Sequence, residues 1–480
     1  MKTQLSRFLN ARSTIITILC LCFGAGAAVG YFWPATRVSV LAWLTLPAVF
    51  LAARYRIIAY LLLCTACLFL GWWRGGAYRT QVLRYTSLNG QEVTVEATAN
   101  GDAVYGIASQ LTFEAGHIVV NSRSMVGTMQ ISGFGVPMVF SGDEVRVQGK
   151  IFVARGNDAA RISYARVAVL RKGSSPLDNF RRRFAAGMQT ALPEPLASFA
   201  MGLLVGQRNT LPPAVSQQLQ MVGLTHIIAV SGYNLTIIVH AAKRLLGKRS
   251  KYQYVATSVA LVLCFLAIAG LSPSMVRAAV VCGLSLATWS YGRELKPSAL
   301  LALSAVITIA INPQYAWNNV SWTLSFLAFF GVLIISPIAT KRLFGGREPP
   351  MVPAIVIESL SAELMTTPYI LLIFGQASLV STLANVLVAA FIPLAMLLAT
   401  FSAFAGMWLP ILAGVVAWPA VMLLTYMLDI VTLLSKVPHA YVQNVAFPIS
   451  GMVMAYIAAL FICLVAWRKG SQNDIITDRT

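Results

Sequence analysis

A polytopic α-helical membrane protein of about twelve spans, with a small OB-like β-barrel inserted outside the membrane after the third, is the fold class this sequence predicts. Three observations predict it. Hydrophobic residues make up 58% of the 480 and charged residues only 11%, with a mean hydropathy of +0.72, whereas a soluble chain carries about 25% charged residues. Apolar runs long enough to cross a bilayer recur along most of the chain. One stretch, residues 77–172, contains no such run and alternates instead in short segments punctuated by glycine.

The first element follows a basic start, MKTQLSRFLNARSTIITILC. Residues 14–33 are as long as a spanning helix needs to be and lack a clear small-residue cleavage site, so they read as a retained first helix. Arg54 and Arg56 separate a second span, 38–53, from a third, 57–73. With Lys2, Arg7 and Arg12 ahead of the first span, the positive-inside rule keeps the N-terminus cytoplasmic and places residues 77–172 outside. There VTVEATA sets Val93, Val95 and Ala97 on one face and Thr94, Glu96 and Thr98 on the other, the signature of a half-buried strand. LTFEA, HIVVNS, MQISGF, DEVRVQGKI and RISYARVAVL repeat the pattern, and five or six short strands over so few residues fit a small closed barrel.

Residues 173–195 read as a connecting amphipathic helix bearing Arg181, Arg182 and Arg183, suited either to lipid headgroups or to nucleic acid. From 196 to 468 the membrane segment resumes, with spans at 224–242, 252–271, 275–292, 298–311, 320–337, 354–374, 379–404, 411–432 and 445–467. Residues 197–206 are too short to cross and read as a re-entrant or interfacial piece. Lys243, Arg244, Lys248, Arg249 and Lys251, then Arg293 and Lys296, then Lys341, Arg342 and Arg347, then Arg468 and Lys469 all fall on the cytoplasmic side, as does a tail at 469–480. Residues 1–76 form the N-terminal membrane segment, and both termini are inside.

The sites of interest are polar groups stranded in apolar sequence. GLTHIIAVSGYNLTII holds His226, Ser231, Asn234 and Thr236 in a run otherwise able to span, and Ser231-Gly232 permits a break in the helix. Such breaks at membrane depth line cavities or binding sites. Arg277 in GLSPSMVRAAVV and Glu363 in ESLSAELMTTPYILLIF add charges whose burial is expensive unless they pair with each other or meet water. Asn385 reads as helix–helix glue. Cys64-x-x-Cys67 lies in an apolar run and reads as packing; no metal site and no cofactor is expected.

GLTHIIAVSGYNLTIIV, GLSPSMVRAAVV, WTLSFLAFFGVL and FGQASLVSTLANVLVAAFIPLAM, in that order after a barrel-like domain, resemble the ComEC family of DNA-uptake channels. The resemblance is strongest over MGLLVGQRNTLPPAVSQQLQMVGLTHIIAVSG and covers nearly the whole chain. It implies a channel carrying one strand of transforming DNA across the bacterial inner membrane, with His226, Ser231, Asn234, Thr236, Arg277 and Glu363 lining the path. It further implies an external DNA receptor, pilus machinery and a cytoplasmic ATP-driven motor as partners, and leaves open whether the channel is a homo-oligomer. Many members continue into a metallo-β-lactamase-like nuclease domain; this sequence reads as the form without it and not as an enzyme. Where many members carry a second histidine after Val-Ser-Gly, this sequence has Asn234, and Glu363 stands where an amide is common.

The substrate suits the charge. Between Arg79 and Arg183 stand 13 basic and 8 acidic residues, an excess outside the membrane that the positive-inside rule does not explain. Arg155, Arg161, Arg166 and the three arginines of the connecting helix are therefore candidate contacts to single-stranded DNA, held weakly and without sequence preference. Two rival functions use the same residues. A secondary transporter of a small solute would also employ a broken helix with buried Arg and Glu. An intramembrane hydrolase would pair Ser231 with His226, but two residues on one short segment without an orienting carboxylate make poor triad geometry.

Overall fold

A computed structural model of the chain describes residues 12–34, 45, 55–101, 103–105, 110–134, 139–140, 142–154, 158–173, 176–206, 211–228, 235, 251–269, 273–292, 296–317, 319–345, 347 and 349–461. These fall into two compact units, Met1–Arg182 with Ala279–Thr323, and Arg183–Ala278 with Leu324–Thr480. The predicted second span, apart from residue 45, lies outside the described residues, as does most of the fourth beyond residue 228 and the tail at 469–480.

The protein is a multi-pass helical membrane protein with a seven-stranded mixed β-sheet and a two-stranded ribbon. Among the described residues five helices are long and apolar enough to cross a bilayer, Ser13–Phe32, Ile57–Leu88, Val320–Phe344, Met351–Phe374 and Ala413–Ser435. A sixth crossing arises if the bent pair Ser381–Ala389 and Ile392–Trp408 counts as one. Twelve full spans are not seen among the described residues. Pro297–Ile311 is apolar but shorter, and at 1.5 Å per residue a helix of this length falls below the ~30 Å hydrocarbon thickness. The stretch predicted as one span at 379–404 bends by 52°. Pro393 lies in the first turn of its second half, where a missing N–H is harmless, whereas a continuous helix would need that donor.

In the first unit, α1 (Arg12–Phe32) and α2 (Arg56–Val82) pack backbone to backbone. Gly26 and Gly30 face the carbonyls of Leu68 and Trp72, and Gly71 and Gly75 face those of Phe23 and Ala27, each so closely that a Cβ has no room. Small residues four apart on both helices are the usual basis of close packing in lipid, where apolar burial alone gives no preference for protein over acyl chains. Trp72 donates to the Trp33 carbonyl at 2.7 Å. Arg74 donates to the carbonyls of Ala310 and Ile311, both at 3.0 Å, closing the C-terminus of the helix Pro297–Ile311. Tyr78 bonds Gln314 at 2.9 Å, so the end of α2 is tied to the turn that follows the helix Pro297–Ile311.

The sheet contains β1 (Glu92–Ala99), β2 (Val104–Tyr105), β3 (Gln110–Val120), β4 (Arg123–Ser124), β5 (Met129–Phe134), β6 (Glu144–Val153) and β7 (Ala160–Arg171). Pairing runs β1-β6-β7-β5-β3, and β3 pairs again with β1, so the five long strands form a closed circuit; β5 with β7 is the parallel pair. Val93, Val95 and Ala97 are buried as their alternation requires, against Leu111, Phe113, Ile131, Val147 and Ile162. Asp143, wholly buried, is the knot at one end. Its Oδ1 accepts from Gly173 N at 2.7 Å and from Arg182 at 3.2 Å, and its Oδ2 from Phe140 N at 2.9 Å.

Two carboxylates of the same domain lie close together. Loss of surrounding water, then the charge of Asp158, raises Glu114 above the ordinary carboxylate value, although Asn100 and Thr128 partly offset this. Asp158 is raised by burial and opposed by the Thr128 hydroxyl, which donates to it at 2.7 Å. A carboxyl whose folded pKa is raised holds its proton more tightly folded than unfolded, so its contribution is present at low pH and lost as pH rises through the folded value. Glu114→Gln is therefore expected to increase hydrogen-exchange protection of β3 near pH 7 and to change nothing near pH 4. Equal protection of wild type and variant near pH 7 would refute the assignment.

The part of α3 (Pro176–Ala191) that belongs to the second unit, from Arg183 on, turns Phe184, Gly187 and Met188 inward. Phe184 meets Phe404 edge-on at 5.7 Å, and Gly187 abuts the Ala403 carbonyl on the helix Ile392–Trp408. Its apolar face is thus covered by protein and not laid on lipid. The helix α4 (Leu196–Val205) is buried through Leu204, as expected for an apolar segment surrounded by other helices.

Candidate functional site

Among the described residues, Glu363 and the turn that precedes His226 meet where α5 (Pro213–Met221) ends, where α12 (Met351–Phe374) passes, and where α13 (Ser381–Ala389) begins. After α5 comes α6, a single turn at Thr225–Ile228. Gly223, at φ +78°, makes the turn between α5 and α6, and a Cβ there would fall 2.7 Å from Ser381 Cβ and 3.1 Å from Ser378 Cβ. The turn needs glycine both for its backbone and for this close approach. His226 follows, exposed, with Nδ1 3.1 Å from the Gly223 carbonyl. Ser231, Asn234 and Thr236 lie outside the described residues.

Glu363 faces the same corner. Ser381 donates to its Oε1 at 2.8 Å and Thr382 to its Oε2 at 2.7 Å. Both hydroxyls belong to the first turn of α13, where the helix dipole also favours negative charge. The carboxylate is thus held and partly neutralised by a helix N-terminus. Ser359 on α12 accepts from the Asn385 amide at 2.7 Å, a second link between α12 and α13.

Arg277 is placed differently. Only 4% exposed, its guanidinium lies 5.5 Å from the Phe326 ring and 5.7 Å from the Phe329 ring. Stacking on aromatic faces is the arrangement that suits a planar, weakly hydrated cation. The pairing of Arg277 with Glu363 weighed from sequence is replaced by two separate environments, because the glutamate's oxygens go to Ser381 and Thr382 and the arginine's plane to Phe326 and Phe329. Sequence reasoning passed over these four partners. The available signals were the i, i+3 spacing of Phe326 and Phe329 and Ser381-Thr382 at a helix start.

On the β domain, Arg161, Tyr164 and Arg166 point outward from β7. Tyr164 is 82% exposed and stacks on Phe134 of β5, with ring centroids 5.7 Å apart and planes at 28°. Arg155 lies outside the described residues. Arg182 is turned inward onto Asp143 and over the Phe140 ring at 4.9 Å. Arg181 is half-buried and Arg183 exposed.

With that geometry described, comparison with known proteins places it. The family model described as competence protein matches residues 203–469, more than half of the chain and the whole neighbourhood of His226, Arg277 and Glu363. The chain belongs to the competence protein family. It is also 24% identical over 217 residues to the ComE operon protein 3 of Bacillus subtilis (strain 168), a match covering 44% of this chain and 27% of that relative. No solved structure matches it. Within the competence domain the matched region contains α5, the turn at Gly223, α12 and the start of α13, so the corner built around Glu363 lies inside the family's shared segment.

Proposed function

We propose that this chain is the inner-membrane channel through which single-stranded transforming DNA enters a bacterial cell. The observation that carries the reading is the competence-family match over residues 203–469, laid across a set of intramembrane polar groups that lipid would not tolerate. His226, Ser231, Asn234 and Thr236 line the path by this reading, with Arg277 beside it. Glu363 does not repel a polyanion as a bare carboxylate would, since Ser381, Thr382 and a helix N-terminus hold its charge.

The remaining features follow the same reading. By this reading the chain crosses the membrane about twelve times with both termini inside, as the distribution of its basic clusters supports. The closed strand circuit with its parallel β5–β7 pair supports reading the β domain as an OB-type barrel, placed outside the membrane by the positive-inside rule. Its outward Arg161, Arg166, Tyr164 and Phe134 supply charge and stacking for a single strand. An external receptor, a pilus and a cytoplasmic motor would deliver and pull the DNA.

Transformation of a deletion strain complemented with variants tests the reading. Asn234→Leu or Arg277→Leu is expected to reduce uptake of labelled DNA at least about tenfold, the equivalent of one hydrogen bond to a charged group, with membrane abundance and surface DNA binding unchanged. Ser231→Ala is expected to be milder. Uptake abolished by Ser231→Ala alone, with Asn234→Leu and Arg277→Leu normal, would replace the channel with a catalytic or solute-binding site.

A further inference from the structure

Beside the Glu363 corner lies an open cavity of about 200 Å³ lined by the amides of Gln217, Gln220, Gln376, Gln443 and Asn444. Tyr441 forms part of its wall and Phe374 an apolar edge, and no charged side chain lines it. The amides are not a random polar patch. Gln220 Nε2 donates to Gln376 Oε1 at 3.1 Å and to the Tyr441 hydroxyl at 3.3 Å, and that hydroxyl donates in turn to Gln376. Three side chains from α5, from the segment after α12, and from β9 (Tyr441–Val442) are thereby held in one arrangement. Among the described residues this triangle leaves the Gln220 carbonyl oxygen and the Gln376 amino group without a hydrogen bond, an acceptor and a donor on adjacent side chains.

Two magnitudes restrict the ligand. Sites that enclose a whole small molecule run to about 300–1,000 Å³, so this cavity takes one group of a longer ligand. Its neutral lining supplies no countercharge to a phosphate, whose burial Lys, Arg or helix N-termini usually compensate. A flat group with a donor–acceptor edge fits both limits, and Gln and Asn side chains pair with such edges on nucleobases, while Tyr and Phe offer stacking faces. The cavity also shares its walls with the proposed path. Gln376 immediately precedes β8 (Ala377–Ser378), and Ser378 touches Gly223 at the end of α5, next to His226.

We propose that this amide-lined cavity is a base-binding pocket of the channel, taking one unstacked nucleobase of the entering single strand while the charged phosphates are held elsewhere. The inference rests on the DNA-uptake reading above and deepens it. Its consequence is that the channel grips DNA at a base as well as along the backbone, without requiring a particular sequence.

The test uses the full-length protein in lipid nanodiscs with two fluorescent probes, a single-stranded oligothymidine and an abasic oligomer of the same length and charge. Wild type is expected to bind the thymidine oligomer at least about fivefold more tightly, the equivalent of one base stacked on an aromatic side chain. Gln220→Ala combined with Gln376→Ala is expected to bring both probes to the abasic affinity. Gln443→Ala, an exposed single change, should narrow the ratio in the same direction. A strand carrying 5-iodouracil should photocrosslink to Tyr441. An unchanged ratio in all variants, with crosslinks only outside the cavity, would overturn the pocket while leaving channel function standing. Competition for the cavity by a glycan strand and not by the thymidine oligomer would reassign it to carbohydrate. Binding of neither probe by wild type, with no uptake restored to the deletion strain, would instead overturn the DNA-uptake reading itself.

Discussion

Asp143→Ala is expected to destabilise the β domain by about 2–5 kcal/mol, enough to lose most of a marginally stable domain. The carboxylate is fully buried and accepts from the backbone amides of Phe140 and Gly173 and from Arg182. Removing it leaves two amides without an acceptor, at about 1–3 kcal/mol each. Arg182 is 31% exposed and regains water, so its share of the loss is smaller. The backbone of Asp143 also helps close the sheet, its carbonyl accepting from Ala99 at 2.9 Å, and that bond survives the substitution. Hydrogen exchange over residues 92–171 of the full-length protein is the measurement, with Asp143→Asn expected to fall between wild type and alanine. Unchanged protection in the alanine variant would show that the knot contributes nothing. Because this aspartate engages Arg182, Arg182→Ala should also loosen the domain, and any loss of DNA binding in that variant is first a matter of folding.

Gly26→Leu should have the larger effect on the membrane portion. The site already lies against the Leu68 carbonyl, so even alanine forces α1 and α2 apart, and overpacking of this kind costs about 1–3 kcal/mol and at times more. The helices cannot separate locally, since Gly30, Gly71 and Gly75 make the same approach along one seam. Separation would also pull Arg79 from the Tyr31 ring, which it overlies at 4.7 Å, and Trp72 from Trp33. Membrane abundance and uptake should fall together. Gly283→Leu is the control, because nothing stands within 4 Å of a Cβ there. A Gly26→Leu protein as abundant as wild type would show that the seam is not required.

Much of the architecture was legible in the sequence because the signals are local. Hydropathy identified the lipid-facing helices, period-2 alternation placed Val93, Val95 and Ala97 inside the β domain, and motifs in chain order led to the competence family. Span length was less legible. An apolar run does not say where a helix stops, and Pro393 in the bent pair did so.

What the sequence by itself determined is the solvent of each segment and the presence of polar groups where lipid forbids them. Only the tertiary structure decided what those groups meet. Glu363 meets Ser381 and Thr382, Arg277 meets Phe326 and Phe329, Arg182 turns in to Asp143, and five amides from three separate parts of the chain line one cavity. The physical reason is range: burial and periodicity are set by neighbours within a turn or a strand, whereas the partner of a charge is set by which distant elements pack beside it.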